Sequence, residues 1–543
     1  MEILSRIMVF IIPLIFFAYL LSKYIEKIYR GEKNRFIKFI KPVEKKIEKI
    51  LPITQKQMSA KEYFVSILWI SFLSIIIFLI VLGIQNGIKQ GDNLSFSQIL
   101  NIAVSFVTNT NWQNYVGQEA LTPVTQMLLL TVQNFLSAAV GIAVAFAVVR
   151  GIMARENKKL GNLYQDGIRI ILYLLLPISL ATSGILVASG VVQTFQSSAT
   201  IETMEKGEKQ EIILGPVASQ IAIKQLGSNG GGYYGANGAS KLENPNAFTN
   251  YIECFSILLI PMAMVFFFGR AVKEKKQGYM IFIVMLIYLI LSVTTVAFLE
   301  ENNSLSGKEA RIGGTLSGIW TGFTTSSSNG SVNSLQEANH PISTAISLFL
   351  MGTGEIVFGG VGSGLYTILG YILVSVFIAG LMIGKSPIYL RKKIEPYEMK
   401  MAMILILTTP ICILITTSIL TMVPNLFQYV SGEGPHTLSQ ILYAATSTGA
   451  NNGSNLTGFQ SNFLISNIVL AINMLVARFL PIYAALKIGE SLAGKKIVAT
   501  NSGSLDTSNF VFGLLVVLVI LFIGALSFLP AISLGPIAEA FRK

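Results

Sequence analysis

The sequence predicts an all-α membrane protein with ten transmembrane helices. Only 13% of its 543 residues are charged and 52% are hydrophobic, whereas a soluble chain carries about 25% charged residues. The charges are clustered, so long stretches contain none, and the mean hydropathy is +0.62. A third observation, a fourfold internal repeat in the loops, decides the architecture within this class.

Ten apolar runs are long enough to cross a bilayer as helices. A spanning helix needs about 20 apolar residues, and a helix satisfies its backbone hydrogen bonds within lipid. We expect spans at 7–22, 64–83, 126–149, 170–192, 252–269, 280–298, 342–384, 401–422, 463–486 and 511–529.

Two of these runs depart from a simple span. The seventh is too long for one pass of about 20 residues, and its middle, 351–364, is rich in glycine, so we interpret it as one broken span. The first lacks a small-residue cleavage site and runs directly into a lysine-rich stretch. We therefore expect an uncleaved anchor rather than a signal peptide.

The basic residues predict the orientation. Most of the 40 lysines and arginines lie in alternate loops, and loops rich in them stay in the cytoplasm. Both termini are therefore expected outside, and the net charge of +12 reflects topology rather than nucleic-acid binding. Loop 23–61 is expected to be solvated; contact with anionic lipid or a cytoplasmic partner is the alternative. The basic loops are 23–61, 150–169, 270–276, 385–400 and 487–496.

Each of the four outer loops contains a short apolar stretch followed by one rich in Gly, Asn, Ser and Thr. The apolar stretches share a related core: Ser97-Gln98-Ile99-Leu100, Ser219-Gln220-Ile221-Ala222, Ser317-Gly318-Ile319-Trp320 and Ser439-Gln440-Ile441-Leu442. At a similar distance follows a second shared element: Thr110-Asn111-Trp112, Ser228-Asn229-Gly230, Ser328-Asn329-Gly330 and Asn451-Asn452-Gly453. Four copies, each between two spans, are difficult to obtain by chance.

The repeated unit suits a re-entrant half-helix followed by a filter loop. An apolar stretch of about 10 residues is too short to span, and irregular backbone at membrane depth must line a watery cavity or be buried in protein. Four such loops would form a carbonyl ring that replaces the hydration shell of a monovalent cation, most simply K+. The half-helices would direct their negative C-terminal ends at the ion. Flexible or glycosylated loops, the alternative, have no reason to repeat an apolar core.

The chain then divides into four pseudo-repeats of helix, pore half-helix, filter loop and helix around a central pore, with one extra helix at each end. The expected units are 1–62 (first helix and basic loop), 63–150, 168–270, 279–384 (with the broken helix), 400–487, and 510–543 (last helix).

Four runs carry a family resemblance. They are Val107-Thr108-Asn109-Thr110-Asn111-Trp112-Gln113, Gln225-Leu226-Gly227-Ser228-Asn229-Gly230-Gly231-Gly232, Phe358-Gly359-Gly360-Val361-Gly362-Ser363-Gly364-Leu365-Tyr366 and Gly380-Leu381-Met382-Ile383-Gly384-Lys385-Ser386-Pro387. They closely resemble the potassium-binding A subunit of the bacterial Kdp potassium-transporting ATPase, and the resemblance extends over essentially the whole chain.

The resemblance implies a potassium selectivity filter and a nearby residue, Gln113, that influences potassium affinity. The family usually has threonine in place of Ser228 and cysteine in place of Asn329. We expect small effects because both positions act mainly through backbone carbonyls. The implied filter residues are Asn109, Thr110, Asn111, Ser228, Asn229, Gly230, Ser328, Asn329, Gly330, Asn451, Asn452 and Gly453.

The resemblance also implies a subunit that does not itself hydrolyse ATP. Family members work in the bacterial inner membrane beside a P-type ATPase subunit, a C subunit and a small single-span accessory subunit. They pass potassium through an intramembrane tunnel to the ATPase subunit. Tyr371 falls where the family has an aromatic residue near the tunnel exit, and Lys385 replaces a family arginine at the cytoplasmic end of the same span.

K+ is the expected ligand, and no nucleotide is expected on this chain. There is no Asp-Lys-Thr-Gly phosphorylation motif. Residues 489–495 mimic the start of a P-loop, but Lys496 stands where Ser or Thr should bind magnesium. A passive potassium channel or transporter of the same four-repeat superfamily is the alternative function, because composition and repeats do not separate it from a pump subunit.

Charged and titratable residues near the pore are further candidates. Glu355, in the glycine-rich break, and Arg478, within the ninth span, are intramembrane charges, which usually serve function. We expect them to lie near each other beneath the filter and to set the electrostatics of the cavity, with a purely structural pair as the alternative. His340 and His436 lie beside prolines in outer loops, and we expect His436 to cap the fourth half-helix.

Overall fold

The computed structural model describes residues 2–32, 35–50, 56–88, 93–202, 209–498 and 505–542. Within these residues, ten helices are long and apolar enough to cross a membrane, which confirms the predicted number. They are Glu2–Arg30, Ala60–Ile88, Pro123–Met153, Leu163–Ala188, Ala247–Ala271, Lys275–Glu301, Ser363–Met382, Pro396–Thr421, Leu464–Ala493 and Phe510–Ala540.

Four shorter helices, here called the first to fourth half-helices, lie between successive pairs of spans. They contain 12, 10, 14 and 15 residues, so at about 1.5 Å per residue none can cross a bilayer. Their bounds are Phe96–Val107, Val217–Leu226, Gly313–Ser326 and Pro435–Gly449. The half-helix expected in each outer loop is therefore present.

The seventh apolar run forms two helices. The first part, Pro341–Gly352, ends at Gly352, and helix resumes only at Ser363. Between them the backbone takes positive φ at Gly354, Glu355, Phe358 and Gly362, a conformation that an α-helix does not contain. The interruption lies inside the segment that the glycine content marks as a break.

The spans differ in how much of their surface the protein covers. The third, fifth and seventh spans are mostly buried, whereas the first, second and tenth expose most of their apolar surface. A helix that is apolar all round but exposed needs lipid as its solvent. The extra helices at the two ends of the chain therefore lie at the periphery, as the four-repeat architecture requires.

The remaining regular structure lies outside the spans. Helix Arg35–Ile50 follows the first span. Two short antiparallel hairpins pair Ser198–Glu202 with Lys209–Ile213, and Ile388–Tyr389 with Lys392–Lys393. None of these elements contributes to the fourfold repeat.

Candidate functional site

The four predicted filter triplets occupy equivalent positions after the half-helices. Each half-helix ends two residues before its triplet, at Val107, Leu226, Ser326 and Gly449. The C-terminal ends of helices carry partial negative charge from unpaired carbonyl groups. All four half-helices thus present the end that favours a cation to the predicted filter.

A backbone hydrogen bond recurs in every loop. The N–H of the middle residue of each triplet donates to a carbonyl oxygen five residues earlier, at 3.0, 2.9, 3.0 and 2.7 Å. The donor and acceptor pairs are Thr110 with Ser105, Asn229 with Lys224, Asn329 with Thr324, and Asn452 with Ser447. This shared bond gives the four loops the same path out of their half-helices.

The loops also share an alternation in backbone handedness. The first and third residues of every triplet have positive φ and the middle residue does not. An extended strand turns successive peptide groups to opposite sides, and alternating the sign of φ allows successive carbonyl groups to face the same side. The residues with positive φ are Asn109, Asn111, Ser228, Gly230, Ser328, Gly330, Asn451 and Gly453.

Three glycines bring neighbouring loops into backbone contact. A Cβ atom at the third position of the second, third or fourth triplet would collide with the carbonyl oxygen of the middle residue in the next loop. A side chain at these positions would therefore open the ring. The contacts are Gly230 with Asn329, Gly330 with Asn452, and Gly453 with Thr110.

Asparagine side chains close the remaining side of the ring, between the first and second loops. Asn109 Nδ2 donates to the Ser228 carbonyl at 2.8 Å. Asn111 Nδ2 donates to the Gly230 carbonyl at 3.2 Å. The three glycine contacts join the second loop to the third, the third to the fourth, and the fourth to the first. The four loops therefore form one closed ring.

The Asn329 side chain also joins two repeats. Its Nδ2 donates to the Lys224 carbonyl of the second half-helix at 3.1 Å. Asn452 repeats this contact one loop further on, with its Nδ2 donating to the Thr324 carbonyl at 2.9 Å. Asn329 therefore contributes a side-chain contact that the expectation of a mainly backbone role did not include.

Gln113 lies at one mouth of the ring. Its Oε1 accepts from the Gly232 N–H at 2.9 Å, and its Nε2 donates to the Gly232 carbonyl at 3.2 Å. Together with Asn111, Gly330 and Gly453, Gln113 lines a cavity of about 440 Å³. The side chain thus holds the first and second loops together where this cavity meets the ring.

Glu355 and Arg478 line one small cavity on the other side of the ring. Asn451 of the fourth triplet and Gly449, the last residue of its half-helix, also line this cavity. The Ser363 hydroxyl donates to Glu355 Oε2, which joins the break to the start of the next helix. The carboxylate and the guanidinium therefore face the same small cavity, next to the ring.

The structure does not bring Tyr371 and Lys385 together. The Tyr371 hydroxyl is buried and donates to the Thr353 carbonyl at 3.2 Å, so it contacts the break. Lys385 follows the end of the same helix at Met382, and the rise of about 1.5 Å per residue places it about 20 Å further along the chain.

A buried ion pair behind the second loop is not among the features predicted from the sequence. Lys224 Nζ lies 2.9 Å from Glu243 Oε2, with side-chain exposures of 1% and 0%. The Tyr234 N–H donates to the other carboxylate oxygen at 2.7 Å. A lysine in the last turn of an apolar half-helix was the available signal, because intramembrane charges are rare and usually paired.

His436 does not cap the fourth half-helix, so that expectation is wrong. Gly434 is the N-cap residue, and Pro435 begins the helix. The His436 ring instead lies between Glu337 and Glu539, with nitrogen–oxygen distances of 2.5 and 3.0 Å. The ring points sideways to carboxylates on other segments, which sequence spacing does not reveal. His340 is the histidine that caps a helix, accepting at Nδ1 from the Ile342 N–H.

The comparisons with known proteins cover almost the whole chain. Residues 8–541 match the model of a family described as potassium-transporting ATPase A subunit. The potassium-transporting ATPase potassium-binding subunit of Listeria monocytogenes is 46% identical over 98% of this chain and 98% of that protein. The corresponding protein of Clostridium perfringens is 45% identical over 98% of this chain and 97% of that protein.

A solved structure shares the fold. The crystal structure of the potassium transporter TrkH from Vibrio parahaemolyticus matches with a TM-score of 0.50 over 72% of this chain and 77% of that chain. The sequence identity is 14%, so this likeness bears on the fold alone. It agrees with a helical membrane protein of four repeats.

The Lys224–Glu243 pair is expected to be essential for stability. Lys224→Met leaves Glu243 buried without its cation, and breaking a buried ion pair costs about 3–5 kcal/mol. We expect a clear fall in the thermal unfolding midpoint, largely restored in the double variant Lys224→Met/Glu243→Gln. Lys241→Met, at an exposed lysine of the same loop, should have little effect. A double variant less stable than Lys224→Met would contradict the role of the pair.

The His436 contact is expected to make stability depend on pH. Hydrogen bonds to Glu337 and Glu539 raise the pKa of His436 from 6.5 to about 10. A raised pKa in the folded state stabilises the protein fully below pH 6.5, and this contribution is lost as the pH rises towards 10. The difference in thermal midpoint between the wild type and His436→Gln should therefore be largest near pH 6 and shrink at alkaline pH.

Glu337 provides the control for this titration. Burial raises the pKa of Glu337, but hydrogen bonds, among them those from His436 and Gln440, together outweigh this effect, so the pKa is lowered overall. In a Glu337→Gln background, His436→Gln should have a smaller effect at pH 6, because interacting residues are not additive. A difference that grows as the pH rises would refute the assignment.

Proposed function

Because the chain belongs to the family of potassium-transporting ATPase A subunits, we propose that it is the potassium-binding and translocating subunit of an ATP-driven potassium uptake pump. The observation that carries the proposal is the closed ring of four loops. Each loop repeats the same hydrogen bond and the same alternation of φ at the residues that the family resemblance assigns to the filter. A potassium filter needs such a ring of carbonyl groups.

The filter works by replacing water with protein oxygen atoms. The ion loses its hydration shell at the ring, and carbonyl oxygens from the four triplets take the place of the lost water. The four half-helix ends add a partial negative charge on the same axis. The outer cavity that Gln113 lines supplies hydrated ions to the ring, and Gln113 adjusts affinity by fixing the first and second loops at its mouth.

Beneath the filter, Glu355 and Arg478 set the electrostatic environment of the ion. A carboxylate stabilises a cation in a cavity of low dielectric constant, and a guanidinium opposes it. The ion then leaves sideways through a tunnel towards the ATPase subunit. Tyr371, which contacts the break, lies on that route, and Lys385 lies at the cytoplasmic end of the same helix.

ATP hydrolysis belongs to a partner subunit in this proposal. Residue 489, where the P-loop-like run begins, lies inside the ninth span, which is helical from Leu464 to Ala493. A P-loop requires a strand before the glycine-rich turn, so the run does not suit a nucleotide. The partners are a P-type ATPase subunit, a C subunit and a single-span accessory subunit, in a bacterial inner membrane with both termini of this chain outside.

The filter assignment predicts a specific change in ion dependence. Gly230→Ala adds a Cβ atom against the Asn329 carbonyl and should raise the potassium concentration for half-maximal ATPase stimulation at least tenfold, about 1.4 kcal/mol of binding. Gln113→Ala should act in the same direction more weakly. The measurement is ATPase activity of the complex, purified with the subunits that accompany the chain, titrated with potassium and with sodium.

Gly83→Ala is the matched control, because a Cβ atom at Gly83 would meet nothing within 4 Å. Its potassium dependence should equal that of the wild type. If Gly83→Ala and Gly230→Ala shifted the half-maximal potassium concentration equally, the assignment of the filter to these loops would be wrong. A chain that purifies alone and conducts potassium down its gradient would instead identify a passive transporter, leaving the filter in place and the pump assignment wrong.

The cavity charges predict opposite effects. Glu355→Gln removes the charge that favours a cation and should raise the half-maximal potassium concentration several-fold, whereas Arg478→Gln should lower it or uncouple ATPase activity from potassium. Thermal unfolding of both variants separates these effects from misfolding. If Glu355→Ala and Arg478→Ala both leave potassium affinity and coupling unchanged, the electrostatic role is wrong.

A further inference from the structure

Helix Arg35–Ile50 carries an exposed apolar face. Successive residues of a helix are about 100° apart, which places Phe36, Phe39, Val43 and Ile50 on one side. All four are exposed, Phe39 and Ile50 by 81% and 68%. Aromatic and branched aliphatic side chains at this exposure usually belong to a surface that contacts something apolar.

The neighbouring face of the same helix is strongly basic. The basic side chains lie beside the apolar face and do not interrupt it, because their positions fall on the other side of the helix axis. An amphipathic helix with apolar and lysine-rich faces is the pattern of helices that lie in the membrane interface. The basic residues are Arg35, Lys38, Lys41, Lys45, Lys46 and Lys49.

The third face fixes the helix at the edge of a span. Glu44 is 5% exposed and accepts from Arg169 Nε at 2.8 Å and from the Tyr173 hydroxyl at 2.5 Å. Arg169 directly precedes the apolar run of the fourth span at 170–192. The contact therefore holds helix Arg35–Ile50 at the boundary between the hydrocarbon core of the bilayer and the lipid headgroups.

We propose that helix Arg35–Ile50 is an interfacial helix that binds anionic phospholipid in the leaflet on the side of the basic loops. Its apolar face inserts among the acyl chains, and its lysines bind the phosphate groups. A protein partner fits less well, because lysine is depleted at protein–protein interfaces. A fully solvated helix would leave four large apolar side chains in water. The binding does not depend on which ion the filter selects.

The first experiment locates the apolar face. An environment-sensitive fluorophore is attached at Phe39→Cys or, on the basic face, at Lys45→Cys in the full-length chain, whose native cysteines Cys254 and Cys412 are buried. The protein, with its accompanying subunits, is placed in nanodiscs of equal parts phosphatidylcholine and phosphatidylglycerol. Brominated acyl chains should quench the Phe39 label at least twofold more than the Lys45 label, and aqueous iodide should show the opposite order.

The other possible results overturn the proposal. Equal quenching of both labels by iodide means a solvated helix. A Phe39 label that neither brominated lipid nor iodide reaches means that a protein covers this face.

The second experiment tests selectivity for anionic lipid. Lys38→Gln/Lys45→Gln/Lys49→Gln should retain at least fivefold less phosphatidylglycerol than the wild type in native mass spectrometry. The matched control, Lys273→Gln/Lys275→Gln/Lys400→Gln, removes the same charge from other basic loops and should retain as much as the wild type. Equal loss in both triple variants would show a general charge effect and refute a site on this helix.

Discussion

The structure depends on the closure of the ring of four loops, in which each loop rests on the backbone of the next. Three sides of the ring close where Gly230, Gly330 and Gly453 leave no room for a Cβ atom. The fourth side closes through the amide groups of Asn109 and Asn111. The four loops are far apart along the chain, so the ring closes only because the rest of the fold holds the four half-helices in register.

Two buried ion pairs lie in the second and third repeats. Lys224 and Glu243 form a pair with almost no exposure, and Lys308 and Glu300 form a second, 2.9 Å apart, in the third repeat. Such pairs are strong in a low-dielectric interior but costly to separate. Each pair carries no net charge, so it adds little to the field that the half-helix ends produce.

The third repeat differs from a regular repeat at the break in the seventh apolar run, where the helix is interrupted between Gly352 and Ser363. Irregular backbone at membrane depth is tolerated because it is buried against neighbouring spans and faces a cavity. Glu355 lies in this break and Tyr371 bonds to its edge. The interruption thus places the Glu355 carboxylate in the cavity that Asn451 and Arg478 also line.

The sequence by itself determined the ten spans, the four half-helices and the positions of the four equivalent triplets that are predicted to form the filter. These features follow from hydropathy over about 20 residues and from a repeated local motif, both of which are visible along one chain. Tertiary structure alone decided which groups meet: Gly230 with the Asn329 carbonyl, Lys224 with Glu243, and His436 with Glu337, 99 residues away. The periodicity of a helix does not encode partners on distant segments, because their approach depends on how the spans pack around the ring.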